Sequence, residues 1–238
     1  MEWKVFLTGD EFDLLELSKS LCSPDLAVTR DEDDFVLRSS RLSDLHDADA
    51  LRREAENIVM LLDGAARVVL HTRVPIAVGS IVLIRDDGSK GYFENLGVTL
   101  HVRTGASVVL KRADGSEEQF NQADPVVGWV NAGLGNEAVA RVLGLFATKA
   151  ADWVNLYRIL EVVESDMGGR DSIVQQGWVT SAELRRFKHS ANSPSAIGDD
   201  ARHGKESTKP PPDPMTLTEA RSFVETILHN WLRTKHNP

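Results

Sequence analysis

The spacing of apolar residues changes once along this chain, and the change limits what it can fold into. Up to about residue 118, apolar residues come in short runs, many of them β-branched, separated by turn residues; from Asn136 onward they recur at helical spacing. Residues 119–135 lose both patterns and hold Pro125, Gly128, Gly133 and Gly135, so a domain boundary is expected there. A chain of 238 residues can bury two modest cores. The expected fold class is α+β: an antiparallel β-sheet domain with one or two helices over residues 1–125, followed by an all-α helical bundle over 126–238.

In the first half, residues 3–8 (WKVFLT) predict a strand and residues 11–21 a short helix with Leu14, Leu17 and Leu21 along one side. Residues 26–29 and 35–38 flank the acidic turn 30–34 and predict a hairpin. That turn lacks the glycine and the distal glutamate of a calcium loop, so it reads as solvated charge. Residues 47–62 predict a helix, since Leu51, Ala55, Ile58, Val59 and Leu62 share a face and acids crowd its start. Strands are then expected over 66–74, 76–85, 92–103 and 106–112, with turns at Pro75, Asp86-Asp-Gly-Ser89, Thr104-Gly105 and Asp114-Gly115, as in an antiparallel meander.

In the second half, Asn136 can cap a helix through Val139, Val142, Leu143 and Phe146. The apolar pattern continues through Trp153, Leu156, Tyr157, Leu160 and Val163 until Met167-Gly-Gly169 ends it. Thr180-Ser-Ala-Glu183 is a capping-box pattern opening a helix whose buried side is Leu184, Phe187 and Ala191. Thr216-Leu-Thr-Glu219, just after Pro214, opens the last helix, with Leu217, Ala220, Val224, Ile227, Leu228 and Trp231 as its stripe. Residues 193–213 are Ser-, Gly-, Asp- and Pro-rich and predict a long loop, of a length that tends to be functional or disordered.

Composition narrows the function classes. Cys22 is the sole cysteine, which excludes an intramolecular disulfide framework and a CxxC zinc site, and is expected to be a small buried residue. No segment approaches the ~20 apolar residues of a membrane span and the start of the chain is not signal-like, so a cytoplasmic protein without a membrane partner is expected. Residues 1–125 hold 14 Lys and Arg against 23 Asp and Glu, while residues 126–238 hold 13 against 13. The net charge of −9 therefore sits in the first half, which would repel phosphates and could meet a protein partner; RNA would have to approach the C-terminal domain.

The C-terminal domain is where cations and histidines gather. Arg185, Lys188, His189 and Asn192 fall on one face of the helix opened by Thr180, and Arg202, His203 and Lys205 follow in the loop. Were the loop to fold back on that helix, two histidines and several cations would converge. An imidazole can take a proton from a ribose hydroxyl or give one to a leaving oxygen while Arg and Lys stabilise phosphate charge, which is the chemistry of metal-independent RNA cleavage. The candidate catalytic residues are His203, Arg202 and His189; the candidate substrate-binding residues are Arg185, Lys188, Asn192 and Lys205. No metal site and no cofactor are expected: His203 and Glu206 have no completing ligands, and Gly198 and Gly204 fit no phosphate-loop pattern. Arg202-His-Gly204 has the form of the histidine-phosphatase motif, but no strand precedes it. His46, His71, His101, His229 and His236 are scattered, and a solvated polar face remains the alternative for the whole cluster.

Four segments carry a family resemblance: WVNLYRILE at 153–161, ELRRFKHSAN at 183–192, ARHG at 201–204 and MTLTEA at 215–220. Together they resemble a bacterial HEPN-type helical domain, over the last part of the chain only. The resemblance implies a small, often dimeric helical bundle, many relatives being ribonucleases of toxin, abortive-infection or phage-defence systems. The family signature is Arg, a gap of four to six residues, then His. Here that spacing occurs at Arg41 and His46, in the first half, so Arg202 and His203 would have to substitute for it, or the domain is a non-catalytic relative. Two functions are expected in turn: an RNA-cleaving or RNA-binding effector, or a non-enzymatic protein-interaction module with dimerisation through the bundle.

Overall fold

The computed structural model describes residues 2–93, 109–111, 117–119, 123–148, 152–202 and 211–236. The chain divides into two compact units, Met1–Leu134 and Gly135–Pro238, at the C-terminal end of the stretch where the apolar pattern lapses.

The first unit is built on a five-stranded antiparallel sheet in the order β2-β3-β1-β4-β5, with β1 Glu2–Thr8, β2 Leu26–Asp31, β3 Asp34–Ser39, β4 Ala77–Ile84 and β5 Lys90–Phe93. β1 is central, with Val5 opposite Leu37 on one side and Ile81 on the other. The β2–β3 hairpin closes across the Asp31–Asp34 pair, with Glu32 in the left-handed region at φ 56°. α1 (Glu11–Ser20) joins β1 to β2. Its cap is Asp10, whose carboxylate accepts the Phe12 N–H at 3.0 Å and the Asp13 N–H at 3.3 Å. A short turn of helix, α2 (Ser40–Ser43), leads into α3 (Ala48–Val69), which packs along β4.

α3 begins where the acids place it, Asp47 accepting the Ala50 N–H at 2.8 Å, but it runs seven residues past the expected end at 62 to finish at Val69. Residues 66–69, expected as the start of a strand, are helical. Ala65, Ala66 and Val68 continue the buried face, and nothing breaks the helix until His71 turns left-handed at φ 53°. β-branched residues follow whichever face is buried, so tertiary packing decides here over intrinsic strand preference. Asp63 lies within this buried face. It accepts the Ile76 N–H at 2.9 Å and the Arg67 Nε–H at 2.8 Å, and burial raises its pKa against the opposing pull of those bonds.

The strand expected over 76–85 is β4. Of those expected over 92–103 and 106–112, only the residues within β5 and within β6 (Val109–Lys111) are described, and the rest lie outside the described residues. β6 pairs with β7 (Glu117–Gln119) as a separate antiparallel ribbon. α4 (Asp124–Gly135) is a helix in what the sequence marks as a boundary. Pro125 is its second residue, where a missing N–H costs nothing, and Val126, Trp129 and Val130 bury its inner side. Cys22, expected to be buried, is exposed: it follows the buried Leu21 at the end of α1, at a bridge to Ala27.

The second unit is helical. α5 (Glu137–Thr148) is capped by Asn136, which accepts the Val139 N–H at 3.1 Å. α6 (Trp153–Asp166) is a separate helix where the sequence suggested continuation, because Asp152 caps it by accepting the Asn155 N–H at 2.7 Å. The buried Asn155 then donates to the Leu145 carbonyl at 3.2 Å, holding the two helices together. Gly168 and Gly169, at φ 83° and 125°, end α6 as expected, and α7 (Arg170–Gln175) follows. α8 (Ser181–Ala191) opens on a complete capping box. α9 (Pro194–Ile197) and a 3-10 turn (Gly198–Asp200) occupy part of the expected loop, and α10 (Leu217–His236) opens on the Thr216–Glu219 capping bonds. α10 packs on α6, with the fully buried Trp231 donating its indole N–H to Asp166 at 2.7 Å.

Candidate functional site

The rotation of α8 decides what its polar face meets. Leu184, Phe187 and Ala191 are buried, and the Phe187 ring stacks on Phe223 at 5.1 Å and on Tyr157 at 6.0 Å, with Trp153 at 6.0 Å. With that side fixed, a helix of 3.6 residues per turn carries Lys188, Asn192, Arg185 and His189 along the opposite arc, as their spacing predicts.

Lys188 and Arg202 are tied into the bundle, and Asn192 is tied to its own helix. The Lys188 ammonium sits 2.7 Å from Glu164 of α6 and 6.0 Å from the centre of the Tyr157 ring. Asn192 caps the end of α8, its side-chain amide donating to the Lys188 carbonyl at 2.7 Å, while its Oδ1 is buried without a hydrogen-bond partner among the described residues. The loop does fold back on α8 as far as it is described: the Arg202 backbone N–H donates to the Ala191 carbonyl at 2.9 Å. The Arg202 guanidinium then lies 4.2 Å over the Tyr157 ring and donates to Glu161 at 2.9 Å. Tyr157, Glu161 and Glu164 share one face of α6, so two cations from α8 and its loop are met by two carboxylates and an aromatic face.

Arg185 and His189, one turn apart, open instead onto a cleft of about 270 Å³ walled by Pro211, Pro212 and Asp213. Beside it stands Arg186, which sequence reasoning passed over. Its guanidinium donates to the Asp213 carbonyl at 2.8 Å, to the Pro214 carbonyl at 3.3 Å and to Glu219 at 3.2 Å through both terminal nitrogens. Arg186 therefore clamps the proline-rich approach to α10, and the cleft wall is held by that clamp. Glu219 is kept below its ordinary pKa by the Thr216 backbone and hydroxyl, with Arg186 adding to the effect.

The seven expected site residues thus separate. Lys188 and Arg202 gather on Glu161, Glu164 and Tyr157, and Asn192 turns back on the Lys188 carbonyl; Arg185 and His189 gather on the proline-walled cleft; His203 and Lys205 lie outside the described residues. Arg185 is exposed and, among the described residues, pairs with no carboxylate; His189 is half-buried. The glutamates of α6 could have been found by placing Glu161 and Glu164 on the Tyr157 face, a pattern the sequence contains; the clamp by Arg186 has no local signal. Among the described residues no three His, Cys, Asp or Glu side chains come together as a metal site, and no helix is long and apolar enough to cross a membrane.

No family model matches the chain, and no curated protein or solved structure matches it either.

Proposed function

We propose that the chain is an RNA-binding or RNA-cleaving effector of HEPN-like type, acting through the Arg185–His189 face of its C-terminal unit. The observation that carries this reading is a division of labour. Lys188 and Arg202 are spent on carboxylates of the bundle, while Arg185 keeps its charge for a ligand, one turn from an imidazole at the mouth of a cleft. In this reading Arg185 holds a phosphate, His189 takes or gives the proton of the ribose hydroxyl or the leaving oxygen, and His203 of the adjoining loop serves as the second imidazole. Lys188, Asn192 and Arg202 position the loop and do not touch substrate. The acidic first unit, which repels phosphate, is left for a protein partner or trigger.

The test is retention and cleavage of a mixed labelled RNA pool by the purified protein beside Arg185→Ala, His189→Ala and His203→Ala variants whose circular dichroism matches wild type. Cleavage lost in a histidine variant, and binding weakened in Arg185→Ala, is the expected result; wild-type protein that neither holds nor cuts RNA, alone or with cell extract, refutes it.

A second reading, a non-enzymatic interaction module, draws on the same ion pairs. Arg186, Lys188 and Arg202 all face carboxylates within hydrogen-bonding range, which is how a cationic face looks when its task is to hold a bundle together. In that case Arg185→Ala and His189→Ala change no activity, and the bundle contributes dimerisation or partner binding.

A further inference from the structure

A second concavity lies between the first turn of α8 and the first half of α10, on the other side of Arg186 from the proline-walled cleft. Its volume is about 410 Å³, within the ~300–1,000 Å³ range of ligand-sized sites. The floor is apolar: Val179, Met215 and Phe223 are buried beneath it, and the half-buried Trp178 forms one wall. Along α10 the rim is made of Thr218, Ser222 and Thr226, exposed and four residues apart, so they line up on one side. These are small side chains, and the Thr226 hydroxyl is already turned back to the Ser222 carbonyl at 2.9 Å, so they let another chain come close to the helix.

The charge at the rim is what selects an occupant. Among the described residues two carboxylates, Glu183 and Glu219, stand there with one guanidinium, Arg186, and that guanidinium is already bound to Glu219 at 3.2 Å and to Asp213 at 3.2 Å. Among the described residues Glu183 bonds to the Thr180 N–H and hydroxyl, at 2.8 and 2.7 Å, and pairs with no Lys or Arg; those capping bonds fix its position and hold it in the charged form. A phosphate-bearing ligand is repelled by such a rim, whereas an apolar floor under a fixed carboxylate suits an apolar side chain followed by a cation.

We propose that this groove is a docking site for a peptide segment of a partner protein that presents one large apolar or aromatic side chain beside a Lys or Arg. The apolar side chain enters between Trp178 and Phe223, and the cation meets Glu183. The proposal stands independently of any RNA chemistry at Arg185 and His189.

The experiment pans a displayed random-peptide library against the full-length protein and measures the selected peptides by fluorescence anisotropy. Binding is compared in wild type, Glu183→Gln, Ser222→Trp and, as a second plug of the same groove, Thr218→Trp. Glutamine keeps the capping bonds and removes only the charge. Selected sequences should share an aromatic or large aliphatic residue adjacent to Lys or Arg. Either tryptophan should weaken binding more than tenfold, and Glu183→Gln by roughly threefold to tenfold with a flatter salt dependence. A library that yields no binders, binders of acidic character, or binders indifferent to both tryptophans overturns the proposal. So does self-association of the protein that either tryptophan abolishes, which would assign the groove to a second copy.

Discussion

Replacing Trp231 by phenylalanine should separate two contributions to the C-terminal unit that are joined at one side chain. Trp231 is fully buried where α10 lies on α6, and its indole N–H meets Asp166 at 2.7 Å, while the Lys235 ammonium reaches the same oxygen at 2.6 Å. Partial burial of Asp166 works against its charge, but the hydrogen bonds from Lys235 and Trp231 outweigh it, so its pKa falls below the ordinary 3.8. Phenylalanine fills most of the ring volume and removes the donor. A hydrogen bond to a charged group contributes about 1.5–3 kcal/mol, so Trp231→Phe should cost about that much at neutral pH, against about 3–5 kcal/mol for Trp231→Ala, which also empties the site. A depressed carboxylate pKa stabilises the fold above the ordinary value and ceases to do so as pH falls through the depressed one, so the Trp231→Phe penalty should shrink on acidification. Urea unfolding of the full chain, followed by far-UV circular dichroism in a descending pH series, measures both. A neutral-pH cost below about 0.5 kcal/mol, the size of an ordinary surface change, refutes the role of the indole N–H. A cost that does not diminish in acid refutes the Asp166 linkage.

Three further outcomes are checked by the same unfolding measurements. Thr180→Ala and Thr216→Ala should each cost about 1 kcal/mol, since each hydroxyl accepts a helix N–H at 3.2 Å; a loss confined to one of them would mean that the other cap is replaced by water. Asp63→Asn should cost about 1–3 kcal/mol, because one face of the amide can still accept from Ile76 while the other sets a donor against Arg67. As burial raises the Asp63 pKa, wild type should gain on this variant as pH falls through that raised pKa, the gain being complete below the ordinary 3.8, and a difference that moves the other way contradicts the assignment. Lys188→Ala should cost about 1–3 kcal/mol by leaving the largely buried Glu164 unpaired, whereas Arg185→Ala should stay within about 0.5 kcal/mol; equal costs would undo the distinction between positioning and ligand-facing cations.

What could be read from the sequence was what is decided within a few residues. The capping boxes at Thr180 and Thr216 and the Asn136 cap appear where local hydrogen-bonding side chains placed them, and the hairpin across Asp31 and Asp34 turns at the acidic segment between its two apolar runs. The misreadings share a cause. Residues 66–69 look like a strand by composition and are helical because the buried face of α3 continues through them. Pro125 looks like a breaker and sits in a first helical turn, where it breaks nothing. Cys22 is small and apolar enough for a core, yet its neighbour Leu21 takes the buried position.

The candidate site shows the same limit in electrostatic form. Spacing alone puts Arg185, Lys188, His189 and Asn192 on one arc of α8, but it does not say which of those charges will still be charges to an incoming ligand. That depends on Glu164, which meets Lys188 on the arc, and on Glu161, which meets Arg202 of the adjoining loop, both carried by α6 where Tyr157 stacks on Phe187 of α8. A row of cations read from sequence is therefore an upper bound on anion-binding capacity, and each carboxylate that packing delivers subtracts from it. On this face the subtraction falls on Lys188 and Arg202 and leaves Arg185, so the weight of any RNA chemistry in the described part of the site rests on one guanidinium and the imidazole one turn away.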